Sequence, residues 1–139
     1  MPSKQAIIDE ARTWLHTPWK HQGRTKRGVD CLGLLVSVAA NVGMPVLDEK
    51  VYTRRPDGKY MIQRFREEME EISLADLALA DVVLFADSVY PCHVAFVSEK
   101  HGAKHIIHAH ALRRMVIEEL YGFEWPDKAR RAFRLKGLV

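Results

Sequence analysis

The sequence predicts a single α+β domain with a mainly antiparallel sheet. Helical periodicity fills the first half of the chain and short β-type runs fill the second. That order segregates helices from strands instead of alternating them. The 139 residues suit one domain spanning 1–139. A chain of this size buries roughly 68% of the surface its unfolded form exposes, so no metal or disulfide staple is needed.

Taken in order, residues 3–16 read as a helix. Ser3 caps it, and Ile7, Ile8, Ala11, Trp14 and Leu15 make one apolar face. Thr17-Pro18 ends it, because a residue before proline avoids the α region. Residues 19–29, with two glycines and many charges, read as a loop. Residues 30–42 read as a second helix, with Asp30 at its N-cap and Gly43 past its end. It is apolar nearly all round, so it is expected to be buried. Residues 44–58 hold Met44-Pro45, Arg55-Pro56 and Asp57-Gly58 and read as an irregular connection. Residues 59–70 form an amphipathic helix. Four runs of β composition follow, at 81–86, 93–98, 104–110 and 114–118, with a last strand at 129–135.

Charge and composition exclude several function classes. Lys plus Arg is 21 and Asp plus Glu is 18, a net charge of +3. The basic residues are scattered, and no basic stripe interleaved with aromatics points to nucleic acid. The apolar run at 31–42 is too short for a bilayer span, which takes about 20 residues, so no membrane insertion is expected. Asp9 and Glu10 stand where a signal peptide needs its apolar core. The chain is therefore expected to be cytoplasmic as synthesised.

Chemistry concentrates at Cys31, in the first turn of the most apolar helix. A thiol is a nucleophile only as thiolate. A helix N-terminus favours negative charge through its unpaired N–H groups. Gly33 lets another backbone or a substrate come close. Most cysteines beside apolar runs are simply small core residues, and Asp30 beside a thiolate works against activation unless it points away. A thiolate also needs a base. His93 opens one alternating strand, and His108 lies in another with His110 on its face. If those strands are neighbours, the imidazoles stack on one side of the sheet. They then supply a base and a group that orients it. His101, His105, His108 and His110, with Cys92 nearby, offer zinc-type donors. Their spacing matches no common site, so no metal and no cofactor are expected.

These residues carry a family resemblance over nearly the whole chain. The segments are Thr17-Pro-Trp-Lys-His-Gln-Gly23, Val29-Asp-Cys-Leu-Gly-Leu-Leu35, Ala80-Asp-Val-Val-Leu-Phe85, His93-Val-Ala-Phe-Val97 and Ile106-Ile-His-Ala109. They fall in the order and at the distances of the NlpC-type cysteine peptidases, papain-like endopeptidases of bacterial cell walls. The chain looks closest to the compact branch encoded with phage tail genes. The resemblance implies a papain-like fold with Cys31 as nucleophile, His93 as base and His108 as the residue that orients His93. Trp19 stands where the family usually has a tyrosine lining the site. Leu32 replaces a common serine, Ala95 a common glycine, and Leu79-Ala80 a common Pro-Gly.

The resemblance further implies hydrolysis of peptidoglycan stem peptides, commonly between D-glutamate and a diamino acid. Trp19, Asp30 and His110 are the expected substrate contacts, although the resemblance does not require His110, which reads more readily as a solvated histidine near a strand end. The wall peptide is the expected partner, with phage tail proteins as carriers to the wall. Other readings keep the site and change the substrate to another amide or a lipid, or make the chain an inert tail-assembly protein. A zinc module ranks last.

Overall fold

The computed structural model describes residues 2–44, 59–86 and 92–138. Helix α1, Lys4–Arg12, begins where the Ser3 hydroxyl accepts the Ala6 N–H. It stops short of the expected position 16 for a tertiary reason. His16 N–H donates to Val116 O at 2.9 Å, and Val116 N–H returns a bond to Thr17 O at 2.9 Å. The chain leaves the helix to pair with a strand edge, with His16 at φ 72° in the left-handed region. The expected loop at 19–29 holds a small antiparallel hairpin, β1 (Arg24–Thr25) and β2 (Gly28–Val29).

Helix α2 is Cys31–Asn41, with Asp30 as its N-cap. Eight of its residues are buried, including Leu34, Leu35 and Val38, as expected for a helix that is apolar nearly all round. The connection expected over 44–58 lies, beyond Met44, outside the described residues. Helix α3, Lys59–Glu68, is followed at once by strand β3, Met69–Ile72, so the expected helix end at 70 is cut back. Pairing of β3 with the last strand overrides the local helical periodicity.

The remaining strands are β4 (Val82–Phe85), β5 (His93–Lys100), β6 (Ala103–His110), β7 (Met115–Leu120) and β8 (Ala129–Leu135). A short helix α4, Glu124–Lys128, precedes β8 and was not expected from the sequence. The strands form one six-stranded sheet in the order β3-β8-β4-β5-β6-β7 with antiparallel neighbours throughout.

Each face of the sheet has its own core. On one face, α1 and α2 cover Val82, Leu84, Val94, Phe96, Ile107 and Ala109. On the other, Val83, Phe85, Ala95, Val97 and Ile106 pack under Trp125. Full burial of each leucine or valine in these cores stabilises the fold by roughly 1.5–3 kcal/mol relative to exposure. Both faces of β4 and β5 are therefore apolar, and polar groups survive there only with partners.

Candidate active site

The start of α2 is built by three backbones in contact. A Cβ on Gly33 would overlap the Gly23 carbonyl oxygen, and one on Gly23 would overlap Gly28. Only glycine fits at either position. Asp30 knits this layer together. Its Oδ1 accepts the Gly33 N–H at 2.8 Å and Arg24 Nη1 at 3.2 Å, and its Oδ2 accepts the Gln22 N–H at 2.8 Å. Asp30 is 1% exposed. The carboxylate is turned inward and holds the loop to the helix.

Cys31 is the first residue of α2 and is buried. It packs with Leu34, Leu35, Val82, Val94 and Phe96. Burial pushes the thiol pKa well up, and the Asp30 and Cys92 charges add to that. The backbone N–H groups of Val94 and Leu32 pull the other way. The sulfur thus stands against the peptide that joins His93 to Val94, at the start of β5. The resting group is a neutral thiol, so the helix N-terminus alone does not produce the thiolate.

Val97 and Ile106 are register partners, which puts residues 93, 95 and 97 on one face with 106, 108 and 110. His93 and His108 are buried there, and His93 Nε2 lies 2.7 Å from His108 Nδ1. His108 Nε2 lies 2.8 Å from Glu119 Oε2. Glu119 pairs in register with Ile106, one diagonal step from His108 across β6 and β7. Burial holds the His93 pKa well below the usual imidazole value, with the neighbouring His108 and His110 adding to the effect. Burial also lowers His108, and Glu119 opposes it.

Aromatic rings close this cluster. Trp125 lies 5.1 Å from His108 and 6.0 Å from His93, centroid to centroid, and Phe85 stacks on His93 at 6.1 Å. His110 is half-buried, 5.1 Å from His108 and 6.0 Å from His93. Trp19 is half-buried on the other side of the helix start. Its N–H donates to Arg114 O, and it bridges to Val29, next to Asp30. Among the described residues, no group of three or more His, Cys, Asp or Glu is arranged to hold a metal ion.

Glu119 and Trp125 are the members that sequence reading missed. The strand expected at 114–118 stops one residue before Glu119. Only the β6–β7 register reveals that this glutamate meets His108. Trp125 sits on a five-residue helix too short to show a period.

A cysteine at a helix start against an antiparallel sheet, with paired histidines on adjacent strands, is the arrangement of a papain-like cysteine hydrolase fold. The sequence profile of the NlpC/P60 family matches residues 16–134. The chain belongs to the NlpC/P60 family, the cysteine peptidase family that its segments resemble. Similar solved structures share the fold. The NlpC/p60 domain of the peptidoglycan hydrolase SagA is 21% identical, with a TM-score of 0.69, covering 96% of this chain and 99% of that one. An NlpC/P60 family protein from Bacillus cereus is 19% identical, with a TM-score of 0.71, covering 96% of this chain and 40% of that one. An N-acetylmuramoyl-L-alanine amidase from Bacteroides uniformis is 13% identical, with a TM-score of 0.64, covering 96% and 98%. No curated protein matches the chain.

Proposed function

We propose that the chain is a peptidoglycan hydrolase that cuts wall stem peptides by acyl transfer, with Cys31 as nucleophile, His93 as base and His108 orienting the base. The observation that carries this reading is the hydrogen-bonded line His93–His108–Glu119, which begins beside the peptide the Cys31 thiol packs against. Buried polar groups cost stability unless they are paired. The buried imidazoles of β5 and β6 are kept here by pairing with each other and with Glu119.

Thiol and imidazole are both neutral at rest, so attack and proton transfer go together. The Cys31 sulfur bonds to the scissile carbonyl carbon as its proton moves to His93. The backbone N–H of Cys31, at the helix start, helps hold the resulting oxyanion. His93 returns the proton to the leaving amine. It then takes a proton from water as the water oxygen bonds to the acyl carbon, and gives that proton to sulfur as the C–S bond breaks, which releases the acid and restores the thiol. Trp19 walls the groove beside the helix start, and His110 flanks the imidazole pair. Each step balances without metal or organic cofactor.

The bond proposed is the one between D-glutamate and the diamino acid. Incubation with purified peptidoglycan fragments, followed by mass analysis, names it directly. Release at that bond is the expected result. Release of the whole peptide from the muramoyl group would make the chain an amidase instead, and intact fragments would remove the wall from the reading. The Asp30-Cys31-Leu32-Gly33 and His21-Gln22-Gly23 segments support delivery to the wall by a phage tail or related particle. The chain should then be found in purified particles of that kind, and its absence from them would end that part of the proposal.

A further inference from the structure

We propose that Lys20, Arg113 and Arg114 form a carboxylate-reading rim beside the histidine pair, which selects stem peptides carrying a free carboxylate next to the bond cut. The proposal deepens the reading of the chain as a wall stem-peptide hydrolase and rests on it. Cations that are scattered in the sequence are gathered here by the fold. Residues 16–29 and 109–117 hold six Lys and Arg and no Asp or Glu. With six of the 21 basic residues here and all 18 acidic ones elsewhere, the rest of the chain is net acidic. Backbone bonds join the two segments. Trp19 N–H donates to Arg114 O at 2.9 Å, Pro18 bridges to Met115, and Lys20 N–H donates to Val29 O at 3.0 Å. Trp19 is thus the seam, with the start of α2 on one side and the β6–β7 turn on the other.

Two of the six cations are committed and one sits at the hairpin turn. Arg24 holds Asp30 and the Gly23 carbonyl, Lys26 donates to Thr13 and lies over the Trp14 ring, and Arg27 lies between β1 and β2. Lys20, Arg113 and Arg114 are exposed, and their side chains make no hydrogen bond or ion pair among the described residues. Arg114 N–H closes the turn on His110 O at 2.8 Å, so the two arginines stand just beyond the His110 end of β6. The Arg113 charge reaches the site, where it works against a proton on His108 and favours the Glu119 carboxylate. Leu112 and Met115, 65% and 36% exposed, precede and follow the arginines. A polymer of phosphates would use only the charges of this rim. A peptide with methyl groups and carboxylates uses both kinds of side chain. Lysine and arginine bind carboxylate oxygens through charge-assisted hydrogen bonds, and a guanidinium can do so two-pronged.

The test uses two synthetic stem peptides that differ only in whether the carboxyl group next to the scissile bond is free or amidated. Wild type should cut the free acid at least about tenfold better in kcat/KM, chiefly through KM. That preference should shrink as salt rises from ~0.01 to ~0.15 M. Arg113→Gln and Lys20→Gln should each reduce it roughly three- to fivefold, and replacing all three cations by glutamine should bring it near one. Arg113→Lys should keep more of it than Arg113→Gln. Comparing two substrates on one variant separates recognition from the effect of the Arg113 charge on His108, which acts on both alike. No preference in wild type, or an undiminished one in the folded triple variant, would overturn the proposal. So would tighter binding of single-stranded DNA or polyphosphate than of the free-acid peptide at ~0.15 M salt, which would make the rim a polyanion site. If wild type cuts neither peptide, that failure belongs to the proposed reaction, and calorimetric binding of the same pair to the protein still decides. Tighter binding of the free acid upholds the rim, and equal binding overturns it.

Discussion

Cys31 packs against the backbone at the start of β5, the strand that His93 opens, but the two side chains live in different surroundings. Cys31 belongs to the apolar core under α1 and α2, among Leu34, Leu35, Val82, Val94 and Phe96. His93 belongs to a polar line in which His108 and Glu119 each satisfy the next member, with Trp125 above. The apolar side tolerates exchange of one hydrophobe for another of similar volume. The polar side does not, because deleting one member leaves its partners buried and unsatisfied. Cys31 is thus held by packing and His93 by hydrogen bonds, and different substitutions disturb each.

The largest expected effect separates chemistry from fold on the apolar side. Cys31→Ala should lower turnover of wall fragments by roughly 10⁴- to 10⁶-fold, the scale of deleting a nucleophile. Thermal unfolding should shift little, since alanine fits a helix start packed by leucines and valines. Wild-type turnover in that variant would place the nucleophile elsewhere.

The polar side should divide more finely. His108→Ala is expected to cut kcat by at least roughly a hundredfold, the lower end for loss of acid–base function. It strips His93 Nε2 of its hydrogen-bond partner. His110→Ala should raise KM and leave kcat nearly intact, because His110 touches the pair by ring contact, 5.1 Å from His108. Equal small effects from both would remove His108 from the proposed triad.

The same contrast predicts opposite pH limbs in stability. His93 and His108 are held neutral, with pKa values below the ordinary imidazole value of 6.5. Below about pH 6.5 the unfolded chain binds protons there that the folded chain does not, so stability falls as pH drops. The lowered carboxylates Glu71, Glu118 and Glu119 add their losses only below their ordinary value of 4.5. The window from 6.5 to 4.5 therefore isolates the imidazoles. Denaturant titrations there should show a steeper slope in the wild type than in His93→Asn, by up to about 1.4 kcal/mol per pH unit. At the alkaline end the sign reverses. The Cys31 thiol stays protonated when folded but ionises when unfolded, near its ordinary value of 9.0. Stability should fall above that pH, and Cys31→Ala should flatten the fall. Parallel curves for variant and wild type at either end would mean that group is hydrated in solution.

The sequence made the two sides unequally legible. The apolar helix at 30–42 and the strand at 129–135 were readable because burial writes itself as composition and alternation. The face shared by His93, His108 and His110 was readable from period two, given that β5 and β6 are neighbours. Glu119 was not, because its role depends on a register between β6 and β7 that no local pattern encodes. The inward set of the Asp30 carboxylate was not legible for a related reason. An N-cap aspartate looks the same in sequence whether its second oxygen faces substrate or, as here, the Gln22 N–H. The early end of α1 and the switch from α3 to β3 likewise follow from strand pairing across the fold.

The smallest effect expected is at Cys92, next to His93 in sequence. Adjacent residues in a strand point to opposite faces, so Cys92 falls in with Val94 and Phe96 on the helix side. Its sulfur lies 3.3 Å from Met61 Sδ, in the packing between α3 and the sheet. It therefore sits beneath the nucleophile's helix and away from the imidazole line. Cys92→Ser exchanges a small apolar group for a hydroxyl in a dry place. That should cost about 1–3 kcal/mol of stability and leave kcat/KM within a few-fold of wild type, as read by unfolding and by the fragment assay. The thiol does touch the chemistry at one point, since its charge is among the causes that push Cys31 up. Removing a minor cause of three shifts turnover slightly and leaves the burial that dominates. A loss of activity as deep as that of Cys31→Ala, in a variant that still folds, would instead put Cys92 in the reaction and break the separation between the two sides.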